Sequence, residues 1–328
     1  MPMRQPTRTR RPVPPPNRPA EVTVGPNPAN HVAPTSPPGT GARYAGIDLA
    51  WSARNVSGIA VVDGAGRLLD SGAVTSDDDV AAWLAPHAGH LAVVALDAPL
   101  VVANATGSRP VERELTRAFR HVDAGTYPSN RANPLFDPPR ALTLAQRFGW
   151  RPTAQRPQPA PLEPTGPGSL ERSRGTGTDA PAPTTDPGLA VAVETYPHPA
   201  MVALFGLDRV IPYKPRPSRT LADRLVALDT LMTHLEAVAA LALPGHDRWT
   251  ALREAHARAT RAVDLKRLED ELDGIFCAHV AWLWGTGSTA LVAWGDDVEG
   301  FIVAPPGPVA PGSLDSPPEP AAPPGRPT

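Results

Sequence analysis

The chain has 328 residues, a formal net charge of −2, 44 prolines and one cysteine. Its near-neutral balance argues against a nucleic-acid glove formed by the whole chain, and the lone Cys277 excludes an internal disulfide or a multi-cysteine zinc site. No apolar h-region follows the N-terminal arginines and no run reaches the length of a membrane span, so a cytoplasmic protein without membrane contact is expected.

Proline concentrates in the segment up to Gly41, from about Arg151 to Pro187, and after Ala304. These stretches lack hydrophobic periodicity and cannot bury enough apolar area to offset their ordering entropy. Disordered tails are therefore expected at residues 1–41 and 304–328, around one domain at 42–303 that carries a disordered Pro-rich insertion at about 151–188.

From Tyr44 the pattern predicts strands over Tyr44 to Leu49, Val56 to Val62 and Arg67 to Val74. Asp63-Gly64-Ala65-Gly66 is a hairpin signal, which makes the first three strands an antiparallel meander. Asp77-Asp78-Asp79 opens a helix through about Pro86, with acids in the first turn suiting the helix dipole. Leu91 to Asp97 is a continuous apolar strand of the kind buried on both faces, and its helical connection implies a parallel partner.

Helices are predicted over Val111 to Arg120 and Pro139 to Phe148, and a fifth strand over Leu189 to Glu194. Further helices follow at Pro199 to Phe205, Arg219 to Ala242, Arg248 to Arg261 and Leu265 to Trp284. Leu291 to Trp294 and Gly300 to Val303 read as a late hairpin, and Gly285-Thr286-Gly287-Ser288 as a helix stop. The fold class is α/β: a mixed sheet of an antiparallel three-strand meander plus parallel strands, with flanking helices, in the order of a ribonuclease H-like domain.

Three strands end in an acid: Asp48, Asp97 and Glu194. Side chains alternate faces along a strand, so these acids share a face with Gly46, Ala95 and Ala192 respectively. The small neighbours leave room for a helix bearing its own acid to approach the sheet. In the last helix Glu269, Asp270 and Asp273 lie on one face, and Ile275 to Trp284 is apolar almost all round, so that helix is expected to be buried. Asp273 alone reads equally well as a partner of the helix dipole. Buried carboxylates that lack a charged partner are costly, and carboxylates without cysteine or paired histidine form a hard-ion ligand set. Two Mg²⁺ or Mn²⁺ ions at such a site would activate water and stabilise the leaving oxygen of a phosphodiester.

The stretches Gly46-Ile47-Asp48-Leu49-Ala50-Trp51, Leu96-Asp97-Ala98-Pro99, Arg109 to Leu115, Val193 to Pro197, Tyr213 to Arg219 and Asp270-Glu271-Leu272-Asp273 resemble, in this order, the DUF429 family of predicted ribonuclease H-like nucleases. The resemblance covers Tyr44 to Val303 except the insertion. It implies metal ligands and catalytic acids at Asp48, Asp97, Glu194 and Asp273, with Asp270 a second ligand candidate on the helix. Where the family commonly places alanine after the helix aspartate, this chain has Gly274.

Arg109, Arg113, Arg117 and Arg120 recur at helical spacing, and Lys214, Arg216 and Arg219 form a second basic cluster. Of these, Arg109, Arg113, Lys214, Arg216 and Arg219 are candidates for binding the phosphates of a nucleic-acid substrate. The alternative is a solvated face paired with Glu112 and Glu114. His198 is a candidate proton donor or phosphate contact, and His279 a satisfied core histidine. Protein partners are not indicated. The competing functions are a nucleic-acid-binding or scaffold protein that does not cut, and an actin-like or sugar-kinase phosphotransferase. The latter also opens on a Gly-Ile-Asp strand but needs two such domains and glycine-rich phosphate turns.

Overall fold

The computed structural model describes residues 41–157 and 189–307. The disorder expected for residues 1–40, 158–188 and 308–328 lies outside the described residues.

Strands β1 (Arg43–Asp48), β2 (Ser57–Val62) and β3 (Leu68–Val74) form the antiparallel meander. Helix α1 (Asp77–Leu84) begins with a capping box in which the Ser76 hydroxyl accepts from Asp79 N–H and the Asp79 carboxylate accepts from Ser76 N–H. It leads to β4 (Leu91–Leu96), which lies parallel to β1. Helices α2 (Pro110–Phe119) and α3 (Arg140–Phe148) follow, then β5 (Arg151–Pro152) and β6 (Val191–Glu194), both in parallel pairings. The sheet order is β3-β2-β1-β4-β6-β5. Helices α4 (Pro197–Phe205), α5 (Leu221–Glu236), α6 (Asp247–Arg258) and α7 (Ala262–Gly285) come next. A separate hairpin of β7 (Val292–Asp296) and β8 (Gly300–Ala304) closes the described chain, bridging to the main sheet through Thr195 and Val303.

Two expectations change. The insertion was expected to begin at Arg151, yet Arg151 N–H donates to Ala190 O at 2.8 Å and β5 forms the sheet edge. A two-residue strand containing proline carries no periodic signal, and an edge is where proline is tolerated. Arg156 is likewise anchored: its guanidinium donates to the carbonyls of Trp284, Ser288 and Leu291 and stacks on the Trp284 ring. The long helix expected to reach Ala242 stops at Glu236, followed by a 3₁₀ turn at Ala239–Leu241.

Helix α7 is the central element. It packs across β1, β2 and β4 and is buried without a break from Leu268 to Trp284. That contact is unusually close because glycine lines it. A Cβ on Gly58 would stand 1.6 Å from the Asp270 carbonyl oxygen, and one on Gly46 1.9 Å from Ala278 N. A Cβ on Gly274 would stand 2.8 Å from the Gly58 backbone. The helix therefore lies on the sheet backbone to backbone, which brings its acids to the ends of the strands. Gly58→Ala should lower the free energy of unfolding by about 2 kcal/mol, since the helix must lift away. A denaturant midpoint equal to wild type would refute this contact.

On the opposite face of the sheet Ile47, Ile59 and Val61 are fully buried as well. His279 on α7 is not the satisfied histidine expected. Neither ring nitrogen has a hydrogen-bond partner, the ring stacks on Trp282, and burial pushes its pKa down to about 4.

Candidate functional site

The carboxyl ends of β1, β4 and β6 open into a cleft of about 840 Å³. Register decides which acids meet there. Ile47 pairs with Leu96 in the parallel β1–β4 ladder, so the next residues, Asp48 and Asp97, leave the sheet side by side on the α7 face. Leu96 in turn pairs with Glu194, which sends the Glu194 side chain to the other face. Glu194 thus reaches the cleft from the side opposite Asp48 and Asp97.

Glu194 is also fully engaged. Arg109 Nη1 donates to its Oε2 at 2.9 Å, Arg109 Nη2 to its Oε1, and Leu100 N–H to Oε2 at 3.0 Å. Arg109 is 1 % exposed, and its remaining donors go to Glu112 Oε1 at 2.8 Å and to Val101 O. Glu112 closes the network by accepting from the N–H groups of Arg109 and Ser129. Arg109 was expected to contact phosphate; instead it is a buried clamp joining β6 to the start of α2. A planar fork with five donors suits that position between two carboxylates.

The helix acids are divided. Asp273 has no exposure: its Oδ1 accepts from the Tyr213 hydroxyl at 2.8 Å and its Oδ2 from Lys214. It sits twelve residues into α7, which excludes the alternative of a dipole partner at the helix start. Lys214 also lies 3.4 Å from Glu269 Oε1 and 3.8 Å from Asp48 Oδ2. Burial lowers the pKa of this ammonium, but Asp273 and Asp48 together raise it well above the ordinary lysine value. Glu269 is held further by Arg224 at 2.9 Å. Asp270 accepts from Lys266 through Oδ1, while its Oδ2 is buried without a partner.

Asp97 has no ion pair or side-chain hydrogen bond among the described residues. Burial, with the neighbouring Asp48 charge, raises its pKa well above the carboxylate range. Burial pushes Asp48 up to about 7, opposed by Lys214 and reinforced by Asp273, and pushes Asp270 up to about 6, opposed by Lys266. These acids favour a cation more strongly than the cleft now supplies.

The sign of the pH effect follows. Folded Asp48 holds its proton more tightly than the unfolded chain does, so its contribution to stability is complete below its ordinary pKa and is lost as pH rises through about 7. In metal-free buffer, Asp48→Asn should gain stability relative to wild type between about pH 4 and about pH 8. Thermal melts across that range would show a constant difference if Asp48 titrated normally.

The other phosphate candidates do not converge. Among them only Arg109 and Lys214 line the cleft, and both are engaged by carboxylates. Arg113 is exposed and donates to Ser108 O, and Arg219 donates to Lys214 O; Arg216 is exposed. Two basic lining residues were missed, Arg54 and Lys266. Lys266 was legible in principle, lying four residues before Asp270 on the same helix.

His198 lines the cleft with Nε2 unpartnered, and burial pushes its pKa down to about 4. This burial favours the neutral imidazole over the imidazolium that the expected proton donor would need. The loop after β1 is fixed by Arg140, which donates to Ala50 O at 2.7 Å and Thr75 O at 3.0 Å and pairs with Asp77.

The donor set fits a hard divalent cation in chemistry: an unpartnered Asp97, a buried orphan oxygen on Asp270, and Asp48 between them in charge. Among the described residues, no three His, Cys, Asp or Glu side chains stand close enough together to hold an ion as they are. Lys214 stands among three of the acids instead.

Residues 46–298 match a family model described as Protein of unknown function (DUF429). No curated protein and no solved structure matches the chain.

Proposed function

The chain belongs to the DUF429 family, and from that membership and the cleft we propose that it is a metal-dependent phosphodiester hydrolase of ribonuclease H-like fold, acting on nucleic acid. The observation that carries this reading is the Asp48–Asp97 pair, two adjacent half-buried carboxylates with raised pKa values at parallel strand ends, one of them in no ion pair among the described residues. The sheet order, with an antiparallel meander followed by parallel strands and a buried helix bearing acids, supports the fold assignment.

Asp48 and Asp97, side by side at the strand ends, would hold Mg²⁺ or Mn²⁺, and Asp270, whose Oδ2 has no partner, would have to move toward them to join. When bound, the ion supplies a Lewis acid and lowers the pKa of attached water. Lys214 already brings one positive charge among Asp48, Glu269 and Asp273, so these acids would need less charge from a second ion. Glu194 and Arg109 position the floor of the cleft and do not ligate.

The test is a panel of labelled DNA, RNA, hybrid and junction substrates incubated with the full chain and Mg²⁺ or Mn²⁺, with calorimetry of Mn²⁺ binding. Cleavage with one ion per chain is expected. Two ions would restore the two-metal form and displace Lys214 from its role. The second reading, a binding or scaffold protein, is favoured by the neutralisation that Lys214 and Lys266 already provide. It predicts nucleic-acid binding with neither metal uptake nor product.

A further inference from the structure

Two aromatic side chains, Trp51 and Tyr127, line the cleft just beyond the Asp48 strand, with a third, Phe136, packed against Trp51. Trp51 lies 4.9 Å from both Tyr127 and Phe136 by ring centroids, tilted 47° to the first and edge-on at 69° to the second. Phe136 is buried, yet Trp51 is 36 % and Tyr127 53 % exposed. Both exposed rings line the same cleft as Asp48 and Asp97. Large apolar rings left open beside a site are costly unless something covers them.

Chain geometry places them at a useful reach. Trp51 is three residues from Asp48, so their Cα atoms are within about 11 Å. Charge restricts what fits. The cleft is lined by six acids, Asp48, Asp97, Glu112, Glu194, Glu269 and Asp270, against four basic residues. A long phosphate backbone gains little there, whereas one π face beside one phosphate is well matched.

We propose that Trp51 and Tyr127 form a stacking platform for an unpaired nucleobase next to the scissile phosphate, so that the substrate is single-stranded at the cleft. This deepens the nuclease reading and rests on it for the phosphate, but base binding is measurable without cleavage. A duplex keeps its π faces stacked on its own neighbours, and so presents none to Trp51.

The probe is a fluorescently labelled single-stranded tetranucleotide, compared with its abasic counterpart and with a duplex, bound by the full chain in Ca²⁺ buffer. The base-bearing strand should bind about tenfold tighter than the abasic strand. Trp51→Ala and Tyr127→Ala should erase that preference, and Trp51→Phe should retain most of it with an unchanged melting temperature. Equal binding of abasic and base-bearing strands, or equal binding of duplex, overturns the platform. Metal-dependent cleavage without base preference would sink the platform and leave the hydrolase; Trp51-dependent binding without cleavage would do the reverse. Absence of both sinks both.

Discussion

Asp97→Asn and Asp48→Asn are each expected to reduce metal-dependent cleavage about a thousandfold, which corresponds to about 4 kcal/mol of transition-state stabilisation. Asparagine keeps the shape and one oxygen but removes the negative charge that holds a hard cation. Asp97 makes no ion pair or side-chain hydrogen bond among the described residues, and desolvation disfavours its charge more than the more distant Lys214 favours it, so its replacement should leave stability equal to or above wild type. Activity and stability then move in opposite directions, a signature that general unfolding cannot produce. The check is single-turnover cleavage alongside denaturant titration. Retention of more than about a tenth of wild-type activity in both variants would remove the carboxylate pair from the mechanism.

Arg109→Met is expected to cost about 4 kcal/mol of stability, because it strands two carboxylates, Glu194 and Glu112, in the interior. Burial already raises the Glu194 pKa, and Arg109 is the chief opposing influence. Without the guanidinium, Glu194 is expected to take up a proton, so the loss should be smaller at low pH than at neutral pH. Arg109→Lys should be nearly as damaging, as an ammonium cannot span both carboxylates as the planar fork does. Urea titrations at two pH values measure this. A deficit near zero for Arg109→Lys would show that the charge matters and the fork does not.

These two predictions separate groups that look alike along the chain. Asp97 and Glu194 both end a buried strand and both follow a small residue by two positions. One faces α7 beside Asp48, and the other crosses to the opposite face and meets Arg109. Alternation within a strand reveals which residues share a face, but it says nothing of which face that is relative to another strand. Register between β4 and β6 makes that choice, and register is a property of long-range pairing.

What the sequence determined by itself is the local and the periodic. The three-strand meander, the buried apolar β4, the long buried α7 and the order of acids along the chain all follow from patterns a few residues wide. The small residue two before Asp48 even signalled the approach of a helix, because Gly46 leaves no Cβ between sheet and α7. Only the tertiary structure decided the pairing of charges. Lys214 meets Asp48 and Asp273, and Arg109 meets Glu194 85 residues away, and no spacing in the chain encodes either contact. The physical reason is that a buried charge is satisfied by whatever opposite charge the packed elements bring within reach. Which charge that is depends on how β4, β6, α2 and α7 come together, and that is settled when the core forms.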